Sequence, residues 1–301
     1  MNVFSCPWCA HTMPALQQGE HACGECGRRS VDAGNIRRWI DDDSRPAPRP
    51  DFAARLFRQL SPLSSRLSPL RYFSDWRVEQ YYRRTLADQS LADQWGTDYL
   101  EGLSLVPGAV VLDHGCGRGR HSALLSRLGF QVAAQDITPH SWWRHLPACI
   151  FQTVSVEAKR LPWTERAFAL VVDVGVAHYM TEAQLAELAR EVFRVLKPGG
   201  FWLLLEGNSE SYGASRMRRI IGRLHEVDTV RRITSGAGFQ EVDLSYEGFY
   251  APWLPLYVNF VRKLMRLGPV DLNDHRSALA ARLPSHRRAH WRLRLAKPRL
   301  G

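Results

Sequence analysis

Apolar and polar positions along the middle of this chain change period several times, and each change predicts an element. Val110-Val111-Leu112 is a short apolar run that ends in Asp113, as a buried strand does. Leu124, Leu125 and Leu128 then fall on one face of a helix, which Gly129 is placed to stop. Gln131 to Asp136 is a second short run ending in an acid, and Phe168 to Val172, with Leu170 to Val174 as its strand, is another. Thr181-x-x-Gln184 forms a capping box ahead of Leu185, Leu188, Val192 and Val195 at helical spacing. Leu196-Lys197-Pro198-Gly199-Gly200 ends that helix and turns into a strand over Phe201 to Leu205. Strands alternating with helices predict an α/β fold around a parallel sheet.

Ahead of this core the pattern is different. Residues 41–50 are an acidic run followed by alternating proline, which reads as an extended linker. From Phe52 to Leu103 the apolar spacing is helical but broken, with restarts at Ser61-Pro62 and Ser68-Pro69. Phe52, Leu56, Phe57 and Leu60 share one face, as do Tyr81, Tyr82 and Leu86.

Charge is spread unevenly. The net +10 of the 301 residues is carried by residues 45–90, with nine basic and four acidic groups, and by residues 276–301, with eight basic and none acidic. Residues 91–275 hold 19 basic and 20 acidic groups, so the α/β core is near neutral. Basic flanks suit nucleic acid or an anionic membrane surface, and equally a solvated arginine-rich exterior. The hydrophobic share of 45% is ample for a packed core. The N-terminus has no apolar signal core, and no run approaches the ~20 apolar residues that span a bilayer. A cytoplasmic location is the expectation.

Cys6-x-x-Cys9 and Cys23-x-x-Cys26 are separated by thirteen residues. Two such knuckles give the four-thiolate site that zinc favours, and a module of about 40 residues needs that folding energy. Two disulfides are the alternative, at odds with a cytoplasmic location. One redox pair would leave the other unexplained.

The chemistry concentrates in Asp113-His114-Gly115-Cys116-Gly117-Arg118-Gly119 and in Asp136. Glycines let the backbone approach a ligand, and an acid closing the second strand accepts hydrogen bonds from ribose hydroxyls. Three blocks beyond the glycine turn follow in order: Asp136; Glu157 to Trp163 with Phe168 to Val172; and Arg194-Val195-Leu196-Lys197-Pro198-Gly199-Gly200. On these the chain resembles the class I S-adenosylmethionine (SAM) methyltransferases over residues 85–299. The resemblance implies a Rossmann-like, seven-stranded class I methyltransferase sheet preceded by a small zinc ribbon. Val227 to Ala237 and Gly238 to Val242 would be its last helix and sixth strand, and Ala289 or His290 to Ala296 its antiparallel seventh. The implied domains are a zinc ribbon at 1–40, a linker at 41–50, a helical cap segment at 51–104 and the SAM-binding domain at 105–301. That domain carries an insertion over about 250–288.

The same resemblance implies site residues. Asp113, Gly115, Cys116, Gly117 and Gly119 would surround the methionine and ribose of SAM, with Asp113 near its ammonium group. Asp136 would take the ribose hydroxyls, Ile137 would cover an adenine face, and Glu157 with Ala158 would meet the adenine edge. The usual residue at position 157 is Asp, so Glu157 departs from the pattern. Asp173 and His178, at the strand end where open α/β sheets bind substrates, are the catalytic candidates. Ser30 to Ile36 resembles the end of small zinc-ribbon proteins that accompany methyltransferases. The expected cofactors are SAM and structural Zn2+. The expected reaction is O-, N- or C-methylation of a small-molecule or lipid-like acceptor. The alternatives are an RNA methyltransferase that docks through the ribbon and basic flanks, and a non-catalytic partner protein with the same fold. Peripheral membrane contact stays open.

Overall fold

The computed structural model describes residues 3–40, 88–154, 158, 160–215, 218, 223–248, 261, 264–266 and 280–299. The linker, most of the helical cap segment, Glu157 and most of the expected insertion lie outside the described residues. Two compact units divide the chain. The first is Met1–Asp173 with Arg190–Trp202 and Lys297–Gly301; the second is Val174–Ala189 with Leu203–Ala296.

The first unit contains β1 (Gly19–Ala22), β2 (Arg29–Ala33), β3 (Ile36–Ile40), α1 (Gln89–Leu100), β4 (Val110–His114), α2 (Arg120–Arg127), β5 (Gln131–Asp136), β6 (Cys149–Thr153) and most of β7 (Phe168–Val174). Its sheet runs β1-β2-β3-β6-β5-β4-β7, followed by the first part of β8 (Leu196–Gly207). The strands from β6 to β7 are mutually parallel, with Val132 opposite Cys149, Val111 opposite Val132 and Val111 opposite Leu170. Val111, Leu112, Val132, Ala133, Ala134, Leu170, Val171 and Val172 are sealed from solvent. Strands buried on both faces read as continuous apolar runs, which is why they were legible from composition.

The N-terminal module continues this sheet. β1, β2 and β3 are antiparallel to one another, but β3 pairs in parallel with β6, Ile36 opposite Phe151 and Arg38 opposite Thr153. Side chains lock the junction. Asn35 donates its amide to the carbonyls of Leu146 (2.9 Å) and Cys149 (2.7 Å), and Trp39 Nε1 donates to Gln152 Oε1 at 3.0 Å. Buried polar groups paired in this way avoid the penalty of an unmade hydrogen bond.

α2 carries Ala123, Leu124 and Leu125 against the sheet and ends at Leu128, with Gly129 at φ +83° just beyond. α3 (Glu182–Val195) belongs to both units. At its start Thr181 Oγ1 accepts from the Gln184 amide (3.3 Å) while Gln184 Oε1 accepts from the Thr181 amide (2.9 Å), the reciprocal cap that the sequence predicts. At its end Lys297 Nζ donates to the carbonyls of Phe193 (2.6 Å) and Leu196 (2.8 Å). A cation there satisfies orphan carbonyls and meets the negative end of the helix dipole.

Several boundaries differ from the sequence expectation: β7 begins at Phe168 rather than Leu170, and the strand expected over Gly238 to Val242 covers Gln240–Glu247. β8 begins at Leu196 rather than Phe201. The backbone of Lys297 pairs with Gly199 and Gly200 (Gly199 N–H to Lys297 C=O, 2.9 Å; Lys297 N–H to Gly200 C=O, 2.8 Å). A partner nearly one hundred residues along the chain thus keeps Lys197-Pro198-Gly199-Gly200 in the strand.

The second unit holds the last part of β8, α4 (Val227–Gly236), β9 (Gln240–Glu247) and β10 (His290–Ala296), in sheet order β8-β10-β9. β9 and β10 are antiparallel, as the resemblance implies for the last two strands. Trp291, Leu293 and Leu295 alternate inward along β10, and Arg294 pairs with Asp243 of β9.

Candidate functional site

The turn after β4 is built from left-handed glycines: Gly115, Gly117 and Gly119 have φ of +64°, +51° and +86°. Gly119 is the most constrained of them. It caps α2, and a Cβ on it would stand 2.8 Å from Leu146 Cδ1 and 3.5 Å from the Phe151 ring. Other residues hold the turn in place. The Gly117 amide donates to Asp136 Oδ2 (2.8 Å), the Gly117 carbonyl accepts from Trp143 Nε1 (2.8 Å), and the Cys116 amide donates to the Gln135 carbonyl (2.9 Å). Trp143, fully buried and stacked on Phe151 with 4.8 Å between centroids, was missed by the sequence reading. Its only local signal is an aromatic pair inside a polar loop.

The acids of the site have different environments. Asp136 is half-buried, and its second oxygen accepts from the Thr138 amide at 3.0 Å. Ile137 beside it leaves 46% of its surface exposed, unusual for a large aliphatic next to a packed strand end. Asp113 is sealed. Its carboxyl accepts from Ser122 Oγ at 2.6 Å, and burial pushes its pKa up to about 7, against the lowering effect of that hydrogen bond. The side chain placed by the resemblance near the cofactor's ammonium therefore points into the β4–α2 junction. Cys116 is buried, and burial raises its thiol well above the usual range, which disfavours the thiolate a nucleophile needs. Ala158 is half-buried; Glu157 lies outside the described residues.

Of the two catalytic candidates, Asp173 is fully enclosed. One oxygen is bound by His114 Nδ1 from the neighbouring strand and the other by Trp202 Nε1 at 2.6 Å. Burial alone would lower the His114 pKa, but the Asp173 carboxylate, with Asp136 and Asp113 behind it, raises it. His114 occupies the variable position of the glycine motif, and no periodicity flagged it. In the second unit His178 is also buried, in a short turn (Ala177–Tyr179) after β7, and its Nδ1 lies 3.0 Å from Glu206 Oε2.

The four N-terminal cysteines converge. Their Sγ atoms all lie within 4.8 Å of one another, with Cys6–Cys26 and Cys9–Cys23 each at 3.5 Å. Zinc–sulfur bonds of about 2.3 Å in a tetrahedron require sulfur atoms about 3.8 Å apart, so the cluster fits a Zn2+ ion. The two knuckles are built alike. Cys6 and Cys23 accept from Ala10 and Gly27, which take φ of +64° and +71° to close each turn.

The parallel strand order β6-β5-β4-β7-β8 around a glycine turn and a strand-end acid defines a class I methyltransferase fold. Residues 111–200 match the family described as methyltransferase domain. The chain is similar to an uncharacterised methyltransferase of Synechocystis, 37% identical over 110 residues, which are 36% of this chain and 51% of that protein. It is also similar to the 2-methyl-6-phytyl-1,4-hydroquinone methyltransferase of the same organism (34% identical; 38% and 36% of the two chains). A third relative is the Arabidopsis thaliana tRNA (carboxymethyluridine(34)-5-O)-methyltransferase (29% identical; 38% and 28%). The chain spans about half the length of the first relative and less of the others. Among solved structures, a Haloferax volcanii complex of the Trm112 methyltransferase activator with a putative methyltransferase shares the fold. Its TM-score is 0.50, with 17% identity and 73% and 97% of the two chains covered.

Proposed function

We propose that the chain transfers a methyl group from SAM to a small-molecule or lipid-like acceptor. The observation that carries the cofactor side is the cradle at Gly117, whose amide and carbonyl are both fixed, by Asp136 and Trp143, beside a half-buried carboxylate and an exposed aliphatic. In this reading Asp136 takes the ribose hydroxyls, Ile137 covers the adenine, and Gly115, Cys116, Gly117 and Gly119 line the methionine side. Glu157 and Ala158 meet the adenine edge, and Asp113 acts by bracing the turn through Ser122. SAM supplies an electrophilic methyl on its sulfonium; the chain's residues bind it, orient the acceptor and exclude water. A near-neutral core and the hydroquinone methyltransferase relative support the small-molecule class.

An RNA acceptor is the second reading, favoured by the basic flanks and by the tRNA methyltransferase relative. We assign the four cysteines to one structural Zn2+ and the N-terminal module to stabilising the sheet edge at β6, because β3 and Asn35 are hydrogen-bonded into it. Among the described residues no helix is long and apolar enough to cross a membrane.

The test is incubation of the purified full chain with methyl-labelled SAM and a cell extract, followed by counting label in metabolite, lipid, protein and RNA fractions. Label in metabolites or lipid is the expected result. Label in RNA with steep salt dependence establishes the second reading. Protein that binds no SAM is a non-catalytic partner.

A further inference from the structure

The charge of the second unit is sorted by place. On α4 and β10 the arginines have acids: Arg231 meets Asp228 and Glu241, Arg232 meets Glu182, and Arg294 meets Asp243. Around the loop that follows β8 they do not. Asn208 pins that loop to the segment ahead of β10. Its side-chain amide donates to the carbonyls of His286 (2.7 Å) and Arg288 (2.8 Å), and its backbone N–H donates to that of Ala289 (2.8 Å). On this fixed base Arg218 Nη2 donates to the Ser209 carbonyl (3.3 Å), and Arg287 Nη1 donates to the next carbonyl, that of Glu210 (2.9 Å). Both arginines are exposed, as is Arg282 a few residues ahead of the second. Among the described residues none of the three forms an ion pair.

A guanidinium anchored by one N–H keeps its other donors and its whole charge. Two of them on consecutive carbonyls concentrate positive charge at one place on the surface, and the planar fork of each matches the oxygens of a phosphate. The sequence carries the same bias, with eight basic groups and no acid in residues 276–301. Tyr212, 67% exposed, has its ring centroid 5.8 Å from the Arg287 guanidinium carbon. Phosphodiesters fit this surface, and both RNA and phospholipid headgroups supply them. Aliphatic side chains of the same unit decide between the two. Leu264 and Met265 lie in a turn where the Met265 amide donates to the Val261 carbonyl (3.0 Å), and 69% and 65% of their surface is exposed. The exposed Arg266 follows them. An RNA strand gives two adjacent aliphatic side chains nothing to bury against, whereas the headgroup–acyl boundary of a membrane does.

We propose that the second unit carries a docking surface for an anionic phospholipid membrane. Arg218 and Arg287 hold headgroup phosphates, Tyr212 stands at headgroup depth, and Leu264 with Met265 enters the acyl boundary. The contact is peripheral and reversible. It is complete within one unit and needs no cofactor, so it stands apart from the methyl-transfer reading.

The test is co-sedimentation of the full chain, without SAM, with two kinds of vesicle: phosphatidylcholine alone, and phosphatidylcholine mixed equally with phosphatidylglycerol. The expected result is binding to the mixed vesicles only, weakening as salt rises. Arg218→Gln and Arg287→Gln should each lower that binding about fivefold, while Arg218→Lys and Arg287→Lys, which keep the charge, should retain most of it. Leu264→Ser combined with Met265→Ser should lower it about tenfold. Thermal melts and SAM affinity should match the wild type, because all four side chains are exposed, and they separate a lost surface from a lost fold. Equal binding to both vesicle types, binding to neither, or glutamine or serine variants that bind as the wild type does would overturn the proposal. A chain that retains polyuridylate RNA but not the mixed vesicles assigns the surface to RNA and overturns it as well. Vesicle binding by a chain that transfers no methyl group counts against the transferase reading alone, and methyl transfer without vesicle binding counts against the docking surface alone.

Discussion

His114 and Asp173 stand opposite each other on neighbouring parallel strands and are joined through His114 Nδ1, while Trp202 binds the other carboxylate oxygen. The pair is sealed from water, so removing one partner leaves an uncompensated group. Asp173→Asn should cost about 3 kcal/mol of stability near pH 6. The folded pKa of His114 is raised above its unfolded value of about 6.5. Its contribution is therefore complete below pH 6.5 and declines as pH climbs through the raised folded value. Denaturant melts of both proteins from pH 5.5 to 9 should show the gap between them narrowing upward. A constant gap would remove the imidazolium from the account.

Asp113 predicts a slope of its own. Its folded pKa of about 7 lies above the unfolded value near 3.9, so the folded chain holds the proton more tightly. The wild type should lose on the order of 4 kcal/mol between pH 4 and pH 7 on this account. Asp113→Asn, which keeps a neutral side chain beside Ser122, should match the wild type near pH 4 and exceed it at pH 8. Thermal melts at the two pH values check this. Equal stabilities at pH 8 would contradict it.

At Gly119 two effects can be separated. Alanine there meets a left-handed backbone, worth about 1–2 kcal/mol, and also approaches Leu146 Cδ1 at 2.8 Å. Gly119→Ala should destabilise by more than the backbone term and weaken SAM binding. Adding Leu146→Ala should give SAM affinity back only in part, because the φ penalty remains. Full recovery in the double variant would mean that crowding alone was at fault.

The N-terminal module should be felt at the cofactor. The Ser5 amide donates to the Pro162 carbonyl (3.0 Å), the Thr164 amide donates to the Val3 carbonyl (2.8 Å), and Phe4 stacks on Trp163 at 5.6 Å. These contacts grip the segment that follows the expected adenine contacts. Metal analysis should find one zinc per chain. Cys9→Ser should lower the melting temperature and weaken SAM binding several-fold in calorimetry. Unchanged SAM affinity in a zinc-free chain would show that the module serves stability alone.

Trp143→Phe removes one hydrogen bond to the Gly117 carbonyl and keeps the ring that stacks on Phe151. A bond of that kind is worth about 1 kcal/mol, so SAM should bind about fivefold more weakly with little loss of stability.

Much of this was legible in the sequence because it depends on neighbours along the chain. Strand β5 has the ends read from its run, β4 goes one residue past its own to His114, and the Thr181–Gln184 cap is made as its spacing requires. The glycine turn follows from residues that alone tolerate positive φ. The tertiary structure decided what depends on distant partners. It brought β3 against β6, so that the four-cysteine module became part of the sheet, and it set the start of β8 by pairing with Lys297. It also gave the two candidate side chains different surroundings, enclosing Asp173 between His114 and Trp202 while setting Glu206 behind His178. Periodicity records which face of an element is buried. It carries no record of which side chain from another element will supply a hydrogen bond, and that is what puts Asp173 between His114 and Trp202 and His178 against Glu206.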